Sequence, residues 1–326
     1  MPTTTLATRP DPATDPRLNG PRRLPLGRPE QLSGLRRRET IRLTADGALH
    51  PADWEIGPWT RGLDGRPTGA AACVAVDNLT AVTLHWAAEN AMTAVVTTQL
   101  QINVLRTLPA FDPADPTDRP RLAMLGVPLM HDSLGGAARG LLVDDAGTPY
   151  VEATGWFQAV DGIQSAGRES YIEQAAQPIA EADQDSMAAV TALVPESVPA
   201  PRPGERPAVT EDAVEGLRFR HEPALDNPGA MTHGGIQTMR AVLAAQAALP
   251  DRQEYDVQAV QVVFARPGLG EQVALTRVRH AGRSLRIVEV ELVGVDPETG
   301  VPIAGRPAIQ AQVSFRAAPE MQRGVR

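Results

Sequence analysis

Residues 68–90 read TGAAACVAVDNLTAVTLHWAAEN, a stretch that is rich in small residues and almost wholly apolar. A helix of this composition has no side suited to water, so other elements must enclose it. A curved antiparallel sheet wrapped around the helix would bury it. Asp77, near the middle of the stretch, is then a carboxylate with apolar neighbours on most sides, and it must be paired, hydrogen-bonded or functional.

The elements around this helix occur twice in the same order: a strand, a long helix and then several strands. In the first half, the runs with strand character lie at 39–49, 93–106, 121–132, 138–147 and 149–160. In the second half, a helix at 234–249 is accompanied by strand-like runs at 216–223, 257–267, 272–296 and 308–317. Alternating apolar and polar residues in RIVEVELVGV and QAQVSF favour strands. The repeated order predicts an internal duplication.

Composition predicts how the chain is divided. The first 37 residues are rich in Pro, Arg and Thr without periodicity, which predicts an extended arm. The stretch VPESVPAPRPGERPAV at 194–209 is too rich in proline for a helix or a central strand, and the run before it, 169–193, is predicted to be helical with a break at Pro178. The predicted segments are the arm (1–37), a first domain (38–160), a helix and Pro-rich linker (161–209), a second domain (210–318) and a tail (319–326).

Whole-chain composition narrows the class of protein. The chain has 326 residues, of which 42% are hydrophobic, enough for two ordinary domains. The net charge is −8 and all 31 basic residues are arginines without a basic run, which argues against nucleic acid or an anionic membrane as the main partner. Cys73 is the only cysteine, which excludes an internal disulfide. With no signal-peptide core and no run of about 20 apolar residues, a cytoplasmic protein is expected.

The pattern resembles a tandem "hot dog" protein, an α+β fold in which two curved antiparallel sheets are each wrapped around a long apolar helix. The motifs NPGAMTHGG and VDNLTAV resemble those of the phenylacetic-acid-degradation (PaaI-like) class of acyl-CoA thioesterases. In that family one helix is preceded by an Asn, opens with His-Gly-Gly and carries an Asp nine residues after the His. The resemblance implies an acyl-CoA substrate, no separate cofactor and, by analogy with the paired sheets of such proteins, a homodimer.

Each half of the chain holds a different part of that motif. Asn227 and His233-Gly234-Gly235 lie in the second half, where Val242 stands in place of the acid. An offset of 165 residues aligns Thr68-Gly69-Ala70 with His-Gly-Gly and Asp77 with Val242. Nine helical residues separate a helix opening from its own acid by roughly 13 Å and about 900° of rotation, so the two lie on opposite sides. The predicted site therefore joins the opening in the second half to Asp77, and the reciprocal site is predicted to be inactive.

Thioester chemistry and the resemblance together imply a role for each residue. The Gly234 N–H at a helix N-terminus, aided by the Asn227 side-chain amide, would stabilise the oxyanion that forms at the thioester carbonyl. Asp77 would either activate a water as general base or attack the carbonyl itself. A hydroxyl at the start of the next strand would hold the water; the alignment favours Thr97, and a shifted register would select Thr98. His233 is expected to brace the turn rather than transfer a proton.

Other interpretations of the sequence stay open. Arg266 and Arg283 could contact the phosphates of coenzyme A, or they could belong to a solvated strand edge. The histidines form no HxxxH or HExxH motif, so no metal is expected, and GxSxG is absent. Two competing functions are a non-catalytic acyl-CoA or lipid-binding module with a structural Asp77, and a hot-dog dehydratase or hydratase. The latter needs a paired Asp and His on one helix segment, which the sequence does not show.

Overall fold

A computed structural model describes residues 26–88, 94–115, 117–160, 172–177, 179, 190–194, 197 and 206–318. In this part of the chain, an eleven-stranded antiparallel sheet packs against helices, as the predicted α+β class requires. The helices that position the site are α1 (Arg28–Leu32), α2 (Ala72–Ala87) and α3 (Gly234–Ala247). The strands are β1 (Leu35–Leu43), β2 (Leu49–Glu55), β3 (Val95–Val104), β4 (Arg121–Asp132), β5 (Gly135–Val143), β6 (Pro149–Ala159), β7 (Val214–Phe219), β8 (Tyr255–Phe264), β9 (Gln272–Ala281), β10 (Leu285–Val295) and β11 (Pro302–Ala317).

The order of the strands repeats between the two halves. The sheet runs β1-β2-β4-β5-β6-β3-β8-β11-β10-β9-β7. If the edge strand β1 is set aside, each half has its first strand outermost, then its third, fourth and fifth, and its second strand at the centre. Strands β3 and β8 pair with each other, with Gln101 opposite Gln261, and so join the two half-sheets. The repeated order of elements in the sequence thus corresponds to a repeated topology.

Helix α2 lies against the first half-sheet, mainly against β4, β5 and β6. Leu79 on this helix is fully buried and belongs to a hydrophobic cluster that runs through both halves. Glycines in the strands allow the helix to approach the sheet closely. A Cβ at Gly140 would lie 2.8 Å from the Leu79 side chain, and one at Gly126 would overlap Thr83. The small residues of the strands therefore set the depth at which α2 sits.

Helices α2 and α3 contact each other across the two halves. A Cβ at Gly235 would lie 2.5 Å from the Val74 Cα atom, so the first turn of α3 touches the backbone of α2. Only glycine fits such an approach without displacing one of the helices. The contact brings the start of α3 against the part of α2 that carries Asp77.

Some boundaries differ from those expected from the sequence. The prediction of an extended arm was wrong for residues 28–37. Residues 28–32 form α1, with Pro29 in its first turn, and β1 starts at Leu35. The run 39–49, expected as one strand, holds the end of β1 and the start of β2, since the Gly47 N–H bonds to the Thr44 carbonyl in a turn between them. The predicted helix at 169–193 and the Pro-rich linker lie mostly outside the described residues, although 172–176 are helical.

Candidate active site

Asp77 accepts hydrogen bonds from both halves of the chain. Its side chain lies in α2 and the residue is only 4% exposed. The Thr97 hydroxyl, at the start of β3, donates to Oδ1 at 2.9 Å. The Gly235 N–H, in the first turn of α3, donates to Oδ2 at 2.8 Å. The two carboxylate oxygens are therefore held by the first and the second half respectively.

The start of α3 is shaped to receive this carboxylate. His233 is the N-cap residue, and its ring Nδ1 accepts from the Gly235 N–H at 3.1 Å. A Cβ at Gly234 would lie 2.9 Å from Asp77 Oδ2, so this glycine presents its bare side to the acid. Unpaired N–H groups and the helix dipole make such a terminus favourable for an anion. The structure thus brings together four of the residues selected from the sequence: Asp77, Thr97, His233 and Gly234.

Glu30 is a further acid at the site, and no pattern in the sequence indicates it. It belongs to the short helix α1 and is only 3% exposed. Its Oε1 atom lies 3.5 Å from His233 Nε2 and accepts from Asn78 Nδ2 at 3.1 Å. His233 therefore lies between two carboxylates, with its Nδ1 atom 3.6 Å from Asp77 Oδ2. The sequence does not indicate this role, because a five-residue helix is too short to show a periodic pattern. A glutamate in a Pro- and Arg-rich segment would be expected to be solvated.

Burial and mutual charge shift the pKa values of these three groups. Burial raises the pKa of Asp77, although the charge of His233 and the bonds from Thr97 and Gly235 oppose the shift. Burial also acts on Glu30, but its hydrogen bond to His233 and the charge of that ring outweigh it, so the pKa of Glu30 is lowered. Burial alone would lower the pKa of His233, yet the bond to Glu30 and the charges of Glu30 and Asp77 raise it. The site therefore favours an ionised Glu30 beside His233 and an Asp77 that ionises at higher pH than usual.

The reciprocal position has a different character. Val242, the counterpart of Asp77, is fully buried and apolar. A Cβ at Gly69, the counterpart of Gly234, would lie 3.3 Å from the Val257 side chain. Nearby, the Gln246 side chain donates to the Thr68 hydroxyl at 3.0 Å. The crevice here has a volume of about 20 Å³, room for about one water molecule. This position thus lacks the acid and presents apolar side chains to its glycine.

The remaining predicted residues are not brought to Asp77 by any hydrogen bond within the described residues. The Asn227 carboxamide oxygen accepts from the N–H groups of Gly229, at 2.9 Å, and Met231, at 3.4 Å, and so closes the turn before α3. Arg266 is exposed and its guanidinium donates to the Pro307 carbonyl at 3.4 Å. Arg283 is also exposed. Asn227 therefore has a structural use that the sequence did not suggest, and the two arginines lie on the surface.

The described part of the chain offers little for metal binding or thiol chemistry. Among its residues, no group of three His, Cys, Asp or Glu side chains is arranged so that it could hold a metal ion. Cys73 is buried near Asp77, and burial together with the charge of that acid raises the pKa of its thiol. A raised pKa disfavours the nucleophilic thiolate. No helix in the same residues has the length and apolar character to cross a membrane.

Comparison with known proteins gives a fold but no sequence family. No protein-family model matches the chain, and no curated protein sequence does. A solved acyl-CoA thioesterase II, TesB2, from Mycobacterium marinum is 15% identical over 89% of this chain and 98% of its own, with a TM-score of 0.50. The tesB protein of Mycobacterium avium subsp. paratuberculosis is 13% identical over 86% of this chain and 96% of its own, also with a TM-score of 0.50.

At such low identity, these similarities show the fold alone. The chain shares the fold of these two structures over most of both lengths. That result agrees with the hot-dog class expected from the sequence at the level of fold. The narrower resemblance to the PaaI-like class stays a prediction.

Proposed function

We propose that this chain is an acyl-CoA thioesterase built as a double hot dog, with α2 and α3 each wrapped by its own half-sheet. It would hydrolyse a thioester to a free acid and coenzyme A at one composite site between the halves. The observation that carries this proposal is the buried Asp77 carboxylate from the first half, bonded at 2.8 Å to the Gly235 N–H from the second. The shared fold with a structure described as an acyl-CoA thioesterase II supports the substrate class.

The start of α3 would stabilise the negative charge that develops on the thioester oxygen. Backbone N–H groups at a helix N-terminus point towards the ligand and need no reorganisation during the reaction. The Gly234 N–H is the proposed donor, because this residue faces Asp77 without a side chain between them. The Asn227 amide nitrogen is proposed as a second donor, since its own turn uses the carboxamide oxygen.

Asp77 would supply the attacking group by one of two routes. As a general base, it takes a proton from a water held beside the Thr97 hydroxyl as the oxygen of that water attacks the carbonyl carbon. The tetrahedral intermediate then collapses, the C–S bond breaks, and the leaving thiolate of coenzyme A takes the proton from Asp77. As a nucleophile, its carboxylate attacks the carbonyl and forms an anhydride, the thiolate of coenzyme A leaves and is protonated, and water then hydrolyses the anhydride. The raised pKa of Asp77 suits both routes, because a more basic carboxylate is both a better proton acceptor and a better nucleophile.

The proposal includes contacts beyond the reacting atoms. His233 would brace the turn that carries the glycines, in keeping with its position as the N-cap of α3. Arg266 and Arg283 are proposed contacts for the phosphates of coenzyme A, since both are exposed. A homodimer of cytoplasmic chains completes the proposal.

A non-catalytic acyl-CoA-binding module is the second candidate. Both carboxylate oxygens of Asp77 already have protein donors, as a structural carboxylate would. Such a module would bind acyl-CoA without releasing thiol. The two functions therefore differ in whether free thiol is released, which can be measured.

Thiol release from a panel of short, medium and aromatic acyl-CoA thioesters tests the proposal. We expect the wild type to release thiol from at least one of them, and Asp77→Asn to lose at least about 100-fold in kcat. Asp53→Asn is the matched control, because Asp53 lies in the same half and pairs with Arg38 and His50. Binding without thiol release would favour the module, and full activity in Asp77→Asn would remove Asp77 from the mechanism.

A further inference from the structure

The helix α1 from the N-terminal segment forms part of the wall around Asp77. It contacts α2 from the first half and the short 3-10 turn Pro223–Leu225 from the second half. Its Glu30 side chain points inward and reaches both His233 and Asn78. Three separate parts of the chain thus meet at His233: α1, α2 and the start of α3.

The neighbours of the His233 ring determine where its proton lies. On one side, the Gly235 N–H donates to Nδ1 at 3.1 Å, so Nδ1 must be without a proton in the neutral ring. On the other side, Nε2 faces Glu30 Oε1 at 3.5 Å, and a carboxylate can only accept. The neutral ring that satisfies both neighbours carries its proton on Nε2. A carboxylate behind a functional histidine fixes the tautomer and orientation of the ring in this way.

We propose that Glu30 is a positioning residue of the Asp77 site: it holds His233 as the Nε2–H tautomer, and the ring then keeps the Gly234-Gly235 turn aligned with the Asp77 carboxylate. The catalytic part of this inference rests on the proposed thioesterase function, whereas the tautomer of His233 does not. Glu30 does not touch the reacting atoms. Its effect passes through the ring to the Gly235 N–H, which Nδ1 shares with Asp77 Oδ2.

The charges on the two sides of the ring affect its protonation as well. The charged groups that act on His233 are Glu30 from α1 and Asp77 from α2, and both raise its pKa. Burial opposes ionisation of Glu30, but the hydrogen bond to His233 and the charge of that ring outweigh burial and lower the pKa of Glu30. The pair therefore stabilises an ionised glutamate that would be costly at a buried position without a partner.

Two substitutions separate the charge of Glu30 from its role as an acceptor. Glu30→Gln keeps an oxygen that can accept from both His233 and Asn78 but removes the charge. Glu30→Leu removes both. Asn78→Ala is the matched control for simple anchoring of α1, because it removes the Asn78 hydrogen bond to Glu30 Oε1 and leaves His233 in place.

Nitrogen NMR of ¹⁵N-histidine-labelled protein, titrated with pH, reports the tautomer and pKa of each ring. The His233 signals are identified by their loss in His233→Asn. We expect the Nε2–H tautomer in the wild type and in Asn78→Ala, a lower His233 pKa in Glu30→Gln, and a mixture of tautomers in Glu30→Leu. A wild-type Nδ1–H tautomer, or a ring unaffected by both Glu30 substitutions, would overturn the proposal whether or not the chain hydrolyses any thioester.

Kinetics with the best acyl-CoA substrate tests the catalytic part. We expect Glu30→Leu to lower kcat by about 10- to 100-fold, with a smaller change in KM, and Glu30→Gln to retain more of the activity. Glu55→Gln is the control for loss of a buried carboxylate, since Glu55 pairs with Arg36 and Arg119 instead of His233. An unchanged kcat in Glu30→Leu, together with an altered His233 ring, would show that Glu30 does not position the site for catalysis.

Discussion

Asp77 Oδ2 accepts a hydrogen bond of 2.8 Å from the N–H of Gly235, a residue 158 positions later in the chain. The carboxylate thus lies at the positive end of the α3 dipole, where an anion is stabilised. Burial opposes ionisation more strongly, and the pKa of Asp77 is raised as a result. Because the folded chain holds this proton more tightly than the unfolded chain, the ionised acid has a cost in stability that can be measured.

Asp77→Asn should raise the melting temperature at neutral pH, even though it removes the proposed catalytic group. An asparagine can still accept from the Gly235 N–H and contact the Thr97 hydroxyl, but it has no charge to bury. The folded pKa lies above the unfolded value of about 3.9, so the advantage of Asn is complete above the folded pKa. It declines as pH falls towards the unfolded value and disappears below it. Calorimetry from pH 3 to 8 measures the difference, and an advantage that grew with falling pH would contradict the raised pKa.

Asp53→Asn provides the comparison for that titration. Asp53 forms an ion pair with Arg38 at 3.1 Å and lies 2.8 Å from His50. Its charge has partners, so its removal should leave the melting temperature at neutral pH equal to or below that of the wild type. An equal gain in both variants would mean that the effect arises from net charge and not from the burial of Asp77.

Thr97 and Thr98 form a natural pair for testing the hydroxyl at the site. The Thr97 hydroxyl donates to Asp77 Oδ1 at 2.9 Å, whereas the Thr98 hydroxyl donates to the Trp156 carbonyl at 3.0 Å on the exposed side of β3. Thr97→Val removes a hydrogen bond to a charged group and should lower kcat by about 10- to 100-fold. Thr98→Val should leave kcat unchanged. Thiol-release rates decide the matter, and equal losses in the two variants would argue against a specific role for Thr97.

Much of this arrangement was predictable because it depends on local composition and on symmetry. Asp77 stood out as an acid within an apolar run, and the offset of 165 residues between the halves connected it to Gly234. Alternating residues indicated the strands of the second half, although β11 starts at Pro302, six residues before the predicted run. These features follow from burial and from periodicity, both of which are present in the order of residues along the chain.

The parts that were not predictable depend on contacts between distant segments. Glu30 reaches the site because α1 packs against α2, and nothing in RPEQL indicates that contact. The carboxamide oxygen of Asn227 accepts from its own turn, a local hydrogen bond that the resemblance did not indicate. The run 39–49 contains a turn at Gly47. Apolar residues on both sides of the turn made the run look like one continuous strand.

Val242→Asp should not create a second active site. The new acid would be fully buried, and Gly69, the counterpart of Gly234, faces the side chains of Val104 and Val257. Gln101 and Gln261 pair across β3 and β8, and Thr97 and Val257 each lie four residues before them. Val257 is therefore the counterpart of Thr97, and the second half has no hydroxyl donor at this position. We expect a loss of roughly 3 kcal/mol or more in the free energy of unfolding, as for other unpaired buried charges.

The activity of the double variant Asp77→Asn, Val242→Asp checks the same point. It should be no higher than that of Asp77→Asn alone in the thiol-release assay. Val242→Thr is the control for a polar group without charge and should be less destabilising in a denaturant titration. Recovery of activity in the double variant would show that the two positions are equivalent.

Gly234→Ala should impair catalysis while leaving the fold largely intact. The backbone of Gly234 does not have a positive φ, so alanine suits its conformation and would itself favour the helix by about 0.5–1 kcal/mol. The added Cβ would, however, lie 2.9 Å from Asp77 Oδ2 and 3.4 Å from the Phe264 ring. The carboxylate must move by roughly a few tenths of an ångström, so the expected loss in kcat/KM is measurable but smaller than the roughly 100-fold that a misplacement of about 1 Å can cause. Gly294→Ala is the control, since a Cβ there meets no atom within 4 Å. A Gly234→Ala variant with wild-type kcat/KM and an unchanged melting temperature would mean that the approach of this glycine to Asp77 does not matter for the reaction.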